Sequence, residues 1–428
     1  MSNKETATLV PKLRFPEFRG VDGWCTTPLS ELGEVVTGKT PSTKEDKLWG
    51  GGILFITPTD ITEDGKYQHS TQRTVVETRG TKVLPPNSVV YTCIASIGKM
   101  ALTVVPSVSN QQINAVVPNG KTAREFIYYS LANLTPWIKS IPATSTLPII
   151  NKTQFSGFII PHPKDKSEQQ KIADCLSSLD ELIAAQARKV DALKTQKKGL
   201  MQQLFPREGE TQPRLRFPEF RSSGEWNDAP LSNFILSLDA GVSVNSGDRP
   251  AGKTEFGILK TSAVTDGIFE PEENKVVLSE GEQSRLKEPV SCGSIIISRM
   301  NTPALVGANA YVESSHENLF LPDRLWAAKP KEGASMRFLA FVLGSDKGRT
   351  ALSKLAKGSS GSMKNITKPE VLAFSVIAPS PAEQQRIADC LTSLDTLINF
   401  QTQALETLKT HKKGLMQQLF PAAEAVEA

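Results

Sequence analysis

Histidine and cysteine are scarce in this sequence, and the few present are scattered. Four isolated histidines give no H-x-x-H or H-E-x-x-H pair that could hold a catalytic zinc. The five cysteines, at 25, 93, 175, 292 and 390, never fall into a C-x-x-C spacing. An odd, dispersed set argues against a disulfide framework or a structural zinc site and fits a reducing cytoplasm. No apolar run reaches the ~18 residues of a membrane span, and the leading MSNKETATLVPKLRF has no apolar core of a signal peptide. The expectation is a cytoplasmic chain with no membrane partner and no metal site. Neither sign of charge dominates: a formal net charge of +4 over 428 residues permits an anionic partner without demanding one. The apolar fraction of 39% is that of an ordinary soluble protein, and the length suits roughly two to four domains.

Catalytic signatures are missing too. There is no G-x-S-x-G for a nucleophile elbow, and no N-P-P-[YF] or D-P-P-[YF] of the amino-methyltransferase kind. Two stretches do match the phosphate-loop pattern G-x-x-x-x-G-K-[ST]: GEVVTGKT at 33–40 and GDRPAGKT at 247–254. The pattern binds phosphate only when a helix begins at its end. Pro41 pushes Thr40 away from helical dihedrals, and EFGILKTSAV after Thr254 reads as a strand. A nuclease-like set, Asp266 with Glu273 and Lys275, lies in an acidic, proline-containing stretch that reads as a solvated loop. A nucleotide-dependent nuclease therefore stays an alternative, with no catalytic residue nominated.

What the chain does contain is itself, twice. EQQKIADCLSSLD begins at Glu168 and EQQRIADCLTSLD at Glu383, 215 residues later, and the match runs ungapped to Pro206 and Pro421 with 27 of 39 positions identical. LRFPEF at 13–18 returns at 215–220, each copy followed by a tryptophan (Trp24, Trp226) and PLS, at an offset of 202. The segments between these repeats match each other poorly. The organisation is a unit over 1–167, a helix over 168–206, a second unit over 207–382, a second helix over 383–421 and a tail over 422–428.

The repeats have coiled-coil spacing. Ile172, Leu176, Leu179, Ile183, Gln186, Val190, Leu193, Lys197, Leu200 and Leu204 step by four and three. Ile387, Leu391, Leu394, Ile398, Gln401, Leu405, Leu408, Lys412, Leu415 and Leu419 repeat the seam. The two helices are expected to pair with each other, the glutamines and lysines fixing register at some cost in stability. The units read as mixed α/β: VVYTCIA (89–95), MALTVV (100–105), SIIIS (294–298) and VLAFSVIA (371–378) as strands, REFIYYSLAN (124–133) and SMRFLAFVLGS (335–345) as short helices.

Polar and basic residues in turns are the candidate contacts. The first unit offers Lys39, Thr40, Ser42 and Lys44, then Ser96 and Lys99 in ASIGKM, Asn110, Gln111 and Gln112 in SNQQIN, and Asn151. The second offers Ser243, Asn245, Arg249 and Lys253 around the second GKT, and Arg299 and Asn301 in SRMNT. Its segment 348–368 adds Arg349, Lys357, Ser359, Ser360, Lys364 and Asn365, with no acid inside it. Such side chains match base edges and phosphates, so on two units joined by a spacer they favour double-stranded DNA.

With these motifs assembled, the chain resembles a specificity subunit of a type I restriction–modification system over nearly its whole length. The resemblance rests on LRFPEF…W…PLS, GKTPS at 38–42, SIGK at 96–99 and N-[KI]-T at 151–153 and 365–367. It rests further on P-x-P before EQQ[KR]IAD and on the long helix ending KKGLMQQLFP. It implies two target-recognition domains, each reading half of a bipartite, asymmetric site, and helices paired as an antiparallel spacer that docks two methylation subunits. It implies no catalytic residue and no cofactor on this chain. S-adenosylmethionine would sit on the methylation subunits, and ATP and Mg on the restriction/motor subunits of the full complex. The second unit departs from the pattern, with NTPALVG (301–307) and LPDRLW (321–326) where the first has SIGK, which marks a different domain subtype. A helix of about 36 residues is about 54 Å long, enough to hold two readers the roughly 34–36 Å of one DNA turn apart. The remaining alternative is a coiled-coil adaptor that binds only proteins.

Overall fold

The computed structural model describes residues 9–62, 65–140, 148–357 and 363–421. The chain forms two compact units, one from residues 1–189 with 401–428 and the other from 190–400. Each long helix is shared between them.

In the first unit the buried, β-branched run Val89–Thr92 lies inside a five-stranded sheet. Across that sheet run Gly33–Thr37, Ile113–Pro118, Val89–Thr92, Met100–Thr103 and Tyr67–Gln68. A strand covered on both faces reads as continuous apolar sequence, which is why this run is legible as a strand. A second sheet orders Arg73–Val75, Trp49–Ile56 and Ser107–Ser109. Cys25–Pro28 pairs with Ile159–His162. The helix Arg124–Ser140 continues past the apolar stretch legible in sequence, running through Pro136.

The second unit repeats this plan with little shared sequence. Its main sheet runs Ile235–Ala240, Leu325–Pro330, Ile295–Ser298 and Asn309–Tyr311, the same order as the first four strands above. Its other sheet again pairs a strand antiparallel on one side (Asn274–Val276 with Gly257–Leu259) and parallel on the other (Gly257–Leu259 with His316–Phe320). The expected strand over 371–378 is confined to Ser375–Ala378, because Lys368–Leu372 is helical. The helix is set by Pro369 at its first turn and by Glu370, whose carboxylate accepts from the Thr367 amide at 3.1 Å and hydroxyl at 2.7 Å.

The long helices are Lys166–Leu204 and Pro381–Leu419, 39 residues each. Every seam position is buried or half-buried. In the first unit the start of one helix meets the end of the other: Ile172 and Leu176 share a core with Leu419 and Phe420. There Gln186 Nε2 donates to Gln401 Oε1 and to its carbonyl, both at 2.8 Å. In the second unit Leu204 packs with Ile387 and Leu391. The seam lysines are ion-paired to the facing helix, Lys412 to Asp180 and Lys197 to Asp395, each at 2.5 Å.

The duplicated motifs meet in each unit. Arg14 donates from Nε and Nη2 to the two oxygens of Glu168, both at 2.7 Å, and Arg216 does the same to Glu383. Each arginine also donates to two carbonyls of its own loop, of Val21 and Asp22 and of Ser223 and Gly224. Both glutamate side chains are 1% exposed. Beside each clasp sits an aromatic trio, Trp24–Phe126–Phe420 in one unit and Trp226–Phe338–Phe205 in the other.

Candidate nucleic-acid interface

Four loops of the first unit converge at one end of its main sheet. The Thr40 hydroxyl donates to Gln111 Oε1, joining the 38–45 loop to the 109–112 loop. Gln112 O accepts from Cys93 N at 2.8 Å, and Cys93 O accepts from Ile150 N at 2.9 Å, which brings in the ASIGKM turn and the segment before Asn151. That turn is held at its base: Gly98 N donates to Thr92 O at 3.0 Å, Lys99 N to Thr92 Oγ1 at 2.9 Å, and Thr92 Oγ1 to Ser96 O at 2.5 Å. Ala95 (φ 62°) and Gly98 (φ 92°) both take the left-handed conformation, and a Cβ at Gly98 would stand 2.4 Å from Thr135 Cγ2. Lys39, Ser42, Lys44 and Ser96 are exposed around these loops, and Lys99 is half-buried.

Of two further residues, Asn110 turns inward, and Asn151 is exposed but engaged locally. Asn110 is buried, its amide donating to Gln112 Oε1 at 3.0 Å and its oxygen accepting from Gln112 N at 3.1 Å. Asn151 caps the helix Lys152–Ser156 in a reciprocal box with Gln154. A short polar residue preceding a helix satisfies an amide that the first turn leaves free.

The second unit brings its candidates together in the same way. Ser243 donates to Asp323, the position where the first unit has Thr40 on Gln111. Arg299 N donates to Arg324 O at 3.0 Å and Arg299 O accepts from Ile366 N at 2.9 Å. Asn301 pairs with Lys364, and Met300 with Asn365, in a short ladder that Lys357 extends by a bridge to Asn365. Several nominated cations are already neutralised. Arg249 forks onto Glu255 at 2.7 and 2.6 Å, and with the Gly252 amide it holds that carboxylate at about 2. Lys357 pairs with Glu370 at 2.5 Å, and Arg299, whose Nε donates to the Asp323 carbonyl at 2.5 Å, has its Nη2 3.8 Å from the Asp323 carboxylate. Asn245 Nδ2 donates to Glu282 at 3.0 Å. Lys253 is exposed. Arg349 is half-buried, burial lowers its pKa, and its Nη1 has no hydrogen-bond partner among the described residues. Ser359 and Ser360 lie outside the described residues.

The phosphate-loop letters serve other ends. GEVVT is a strand, and the amides of Gly38 and Lys39 donate to the carbonyls of Ile113 and Ser109 at 3.1 and 2.8 Å. In the second match the Glu255 carboxylate occupies the turn on the Gly252 amide. The nuclease-like set does not assemble either: Glu273 accepts from Ser262 and Lys260, and Lys275 pairs with Asp248.

Two repeat-flanked units, each gathering polar loops at one sheet end, match a known pattern. The family model described as type I restriction modification DNA specificity domain matches residues 21–195 and 255–410. The chain belongs to this family. It is 25% identical over 425 residues to the MjaVIII specificity subunit of Methanocaldococcus jannaschii, covering 95% of this chain and 94% of that one. It is 32% identical over 167 residues to the MjaIX specificity subunit of the same organism, and 31% over 147 residues to the HindI specificity subunit of Haemophilus influenzae. Those two matches span 37% and 33% of this chain, and 38% and 32% of the relatives' own length. A crystal structure of a type I restriction–modification S subunit from M. genitalium superposes over 96% of this chain and 99% of its own, with a TM-score of 0.60 at 16% identity, a likeness of fold.

Sequence reasoning missed Asp323, Arg324 and the strand-end hydroxyls Thr92 and Ser298. The signal was faint: Thr92 closes a legible strand and Asp323 stands in LPDRLW, but only the sheet order aligns LPDRLW with SNQQIN.

Proposed function

We propose that the chain is the non-catalytic recognition subunit of a type I restriction–modification complex. Each unit reads one half of a bipartite, asymmetric duplex target. The long helices pair as an antiparallel coiled coil, set the unspecified gap and dock two methylation subunits, and restriction/motor subunits complete the assembly. S-adenosylmethionine, ATP and Mg are handled by those partners. The observation that carries this reading is the combination within each unit: a like-built Arg–Glu clasp and aromatic trio beside loops that differ in sequence. Identical fastenings suit one structural task performed twice, and differing loops suit two different half-sites.

The test is selection of duplexes from a randomised library by the full chain together with its methylation subunits. Two short fixed blocks separated by a constant gap are expected. A single contiguous block, or no enrichment, contradicts the reading.

A further inference from the structure

The ASIGKM and SRMNTPALVG turns share almost no sequence, yet they are built on one frame. In each, a strand-end hydroxyl residue accepts at its carbonyl from a glycine amide: Thr92 from Gly98 at 3.0 Å, Ser298 from Gly307 at 2.8 Å. Both glycines take positive φ, 92° and 79°. The first turn residue, Cys93 or Arg299, donates to one neighbouring loop and accepts from another in the same pattern. A helix packs behind each glycine closely enough to exclude a side chain, Thr135 standing 2.4 Å and Leu352 2.9 Å from where a Cβ would be.

That helix also carries a cation to each turn. Lys139 Cε lies 3.1 Å from the Cβ position of Gly98, beside Lys99. Arg349 Nη2 donates to Ala304 O, within the second turn, at 3.5 Å. Among the described residues none of Lys99, Lys139 and Arg349 has a carboxylate partner, unlike Arg249, Lys357 and Arg299. An exposed hydroxyl stands at each tip, Ser96 and Thr302.

Two units that read different bases have no reason to share a frame for base contact, whereas the phosphodiester backbone is the same at every half-site. We infer that the two framed turns are phosphate clamps: Ser96 with Lys99 and Lys139 in the first unit, Thr302 with Arg349 in the second, each gripping a DNA backbone phosphate. The clamp fixes each unit on the duplex and leaves base reading to other loops. A guanidinium half-withdrawn from water without an anion is unfavourable, and a phosphate at the second tip supplies one. This inference rests on the DNA-reading function proposed above.

The experiment uses the full chain with its methylation subunits, a labelled duplex carrying the selected target and an unrelated duplex, in fluorescence anisotropy titrations across a salt series. Lys99→Gln with Lys139→Gln, and separately Arg349→Gln, should weaken both duplexes by the same factor. The slope of log affinity against log salt should flatten by about 0.9 per charge removed, and the selected sequence should stay unchanged. Lys99→Arg and Arg349→Lys should recover most of the affinity. Wild-type binding by the glutamine variants, or an altered base preference at one half-site, overturns the clamp. Loss in both the glutamine and the charge-retaining forms, with an earlier thermal transition, assigns the residue to folding and also overturns it. If the unaltered complex distinguishes no target at all, the DNA-reading function itself has failed, an outcome visible before any variant is tested.

Discussion

Arg14 and Glu168 stand 154 residues apart in sequence and form the most enclosed ion pair of the first unit. Removing the arginine leaves a carboxylate that is 1% exposed without its cation. Breaking a buried pair of this kind costs about 3–5 kcal/mol, more than any surface ion pair here could contribute. Arg14→Ala should lose that much in urea unfolding of the full chain, and Arg216→Ala a similar amount through Glu383. A loss under about 1 kcal/mol would show the clasp to be ornamental. Both partners were visible as repeated letters, LRFPEF and EQQ, but nothing in one sequence says that two repeats touch. The same limit applies to the candidate contacts. Lys39, Ser96 and Gln111 stand exposed in their turns, as polar turn residues do, while Thr40 is half-buried on Gln111. Asn151 shows the other side of this: a helix cap and a DNA contact use the same side chains, and the structure places its Oδ1 on the Gln154 amide at 2.9 Å.

Among the elements, the long helices were the most legible, since a step of four and three sustained over ten positions has few other readings. The roles of the polar seam positions were less so. Lys197 and Lys412 are ion-paired to Asp395 and Asp180, and the lysine at 412 also lies over the Tyr129 ring, whose hydroxyl donates to Asp180 at 2.6 Å. The matching ring under Lys197 is Phe341, with no hydroxyl. Tyr129→Phe should therefore cost about 1–3 kcal/mol by leaving the half-buried Asp180 short of a donor. It converts the first seam to the chemistry of the second, and equal stability of variant and parent in denaturant would contradict the assignment. Short strands such as Tyr67–Gln68 and Met300–Asn301 were not legible, because two residues carry no periodicity. In VLAFSVIA apolar content alone points to one strand, whereas the start signal at Thr367 and Pro369 makes its first residues helical.

At the scale of the whole chain, the duplication visible in sequence is only part of the duplication present in the fold. The clasp and helices keep their letters, whereas the sheets keep only their strand order. An inward sheet position accepts different β-branched or aromatic residues so long as the core's total volume is kept, so strand order survives when sequence does not. Loops that differ between two like-built sheets are what separate recognition of two half-sites requires. The direct test replaces residues 27–160 with the corresponding unit of a relative that has a different target, and sequences the methylome of cells carrying the hybrid with its methylation subunits. The account predicts that one half of the methylated target changes while the other half and the gap length stay as they were. A change in both halves, or in neither, would contradict it.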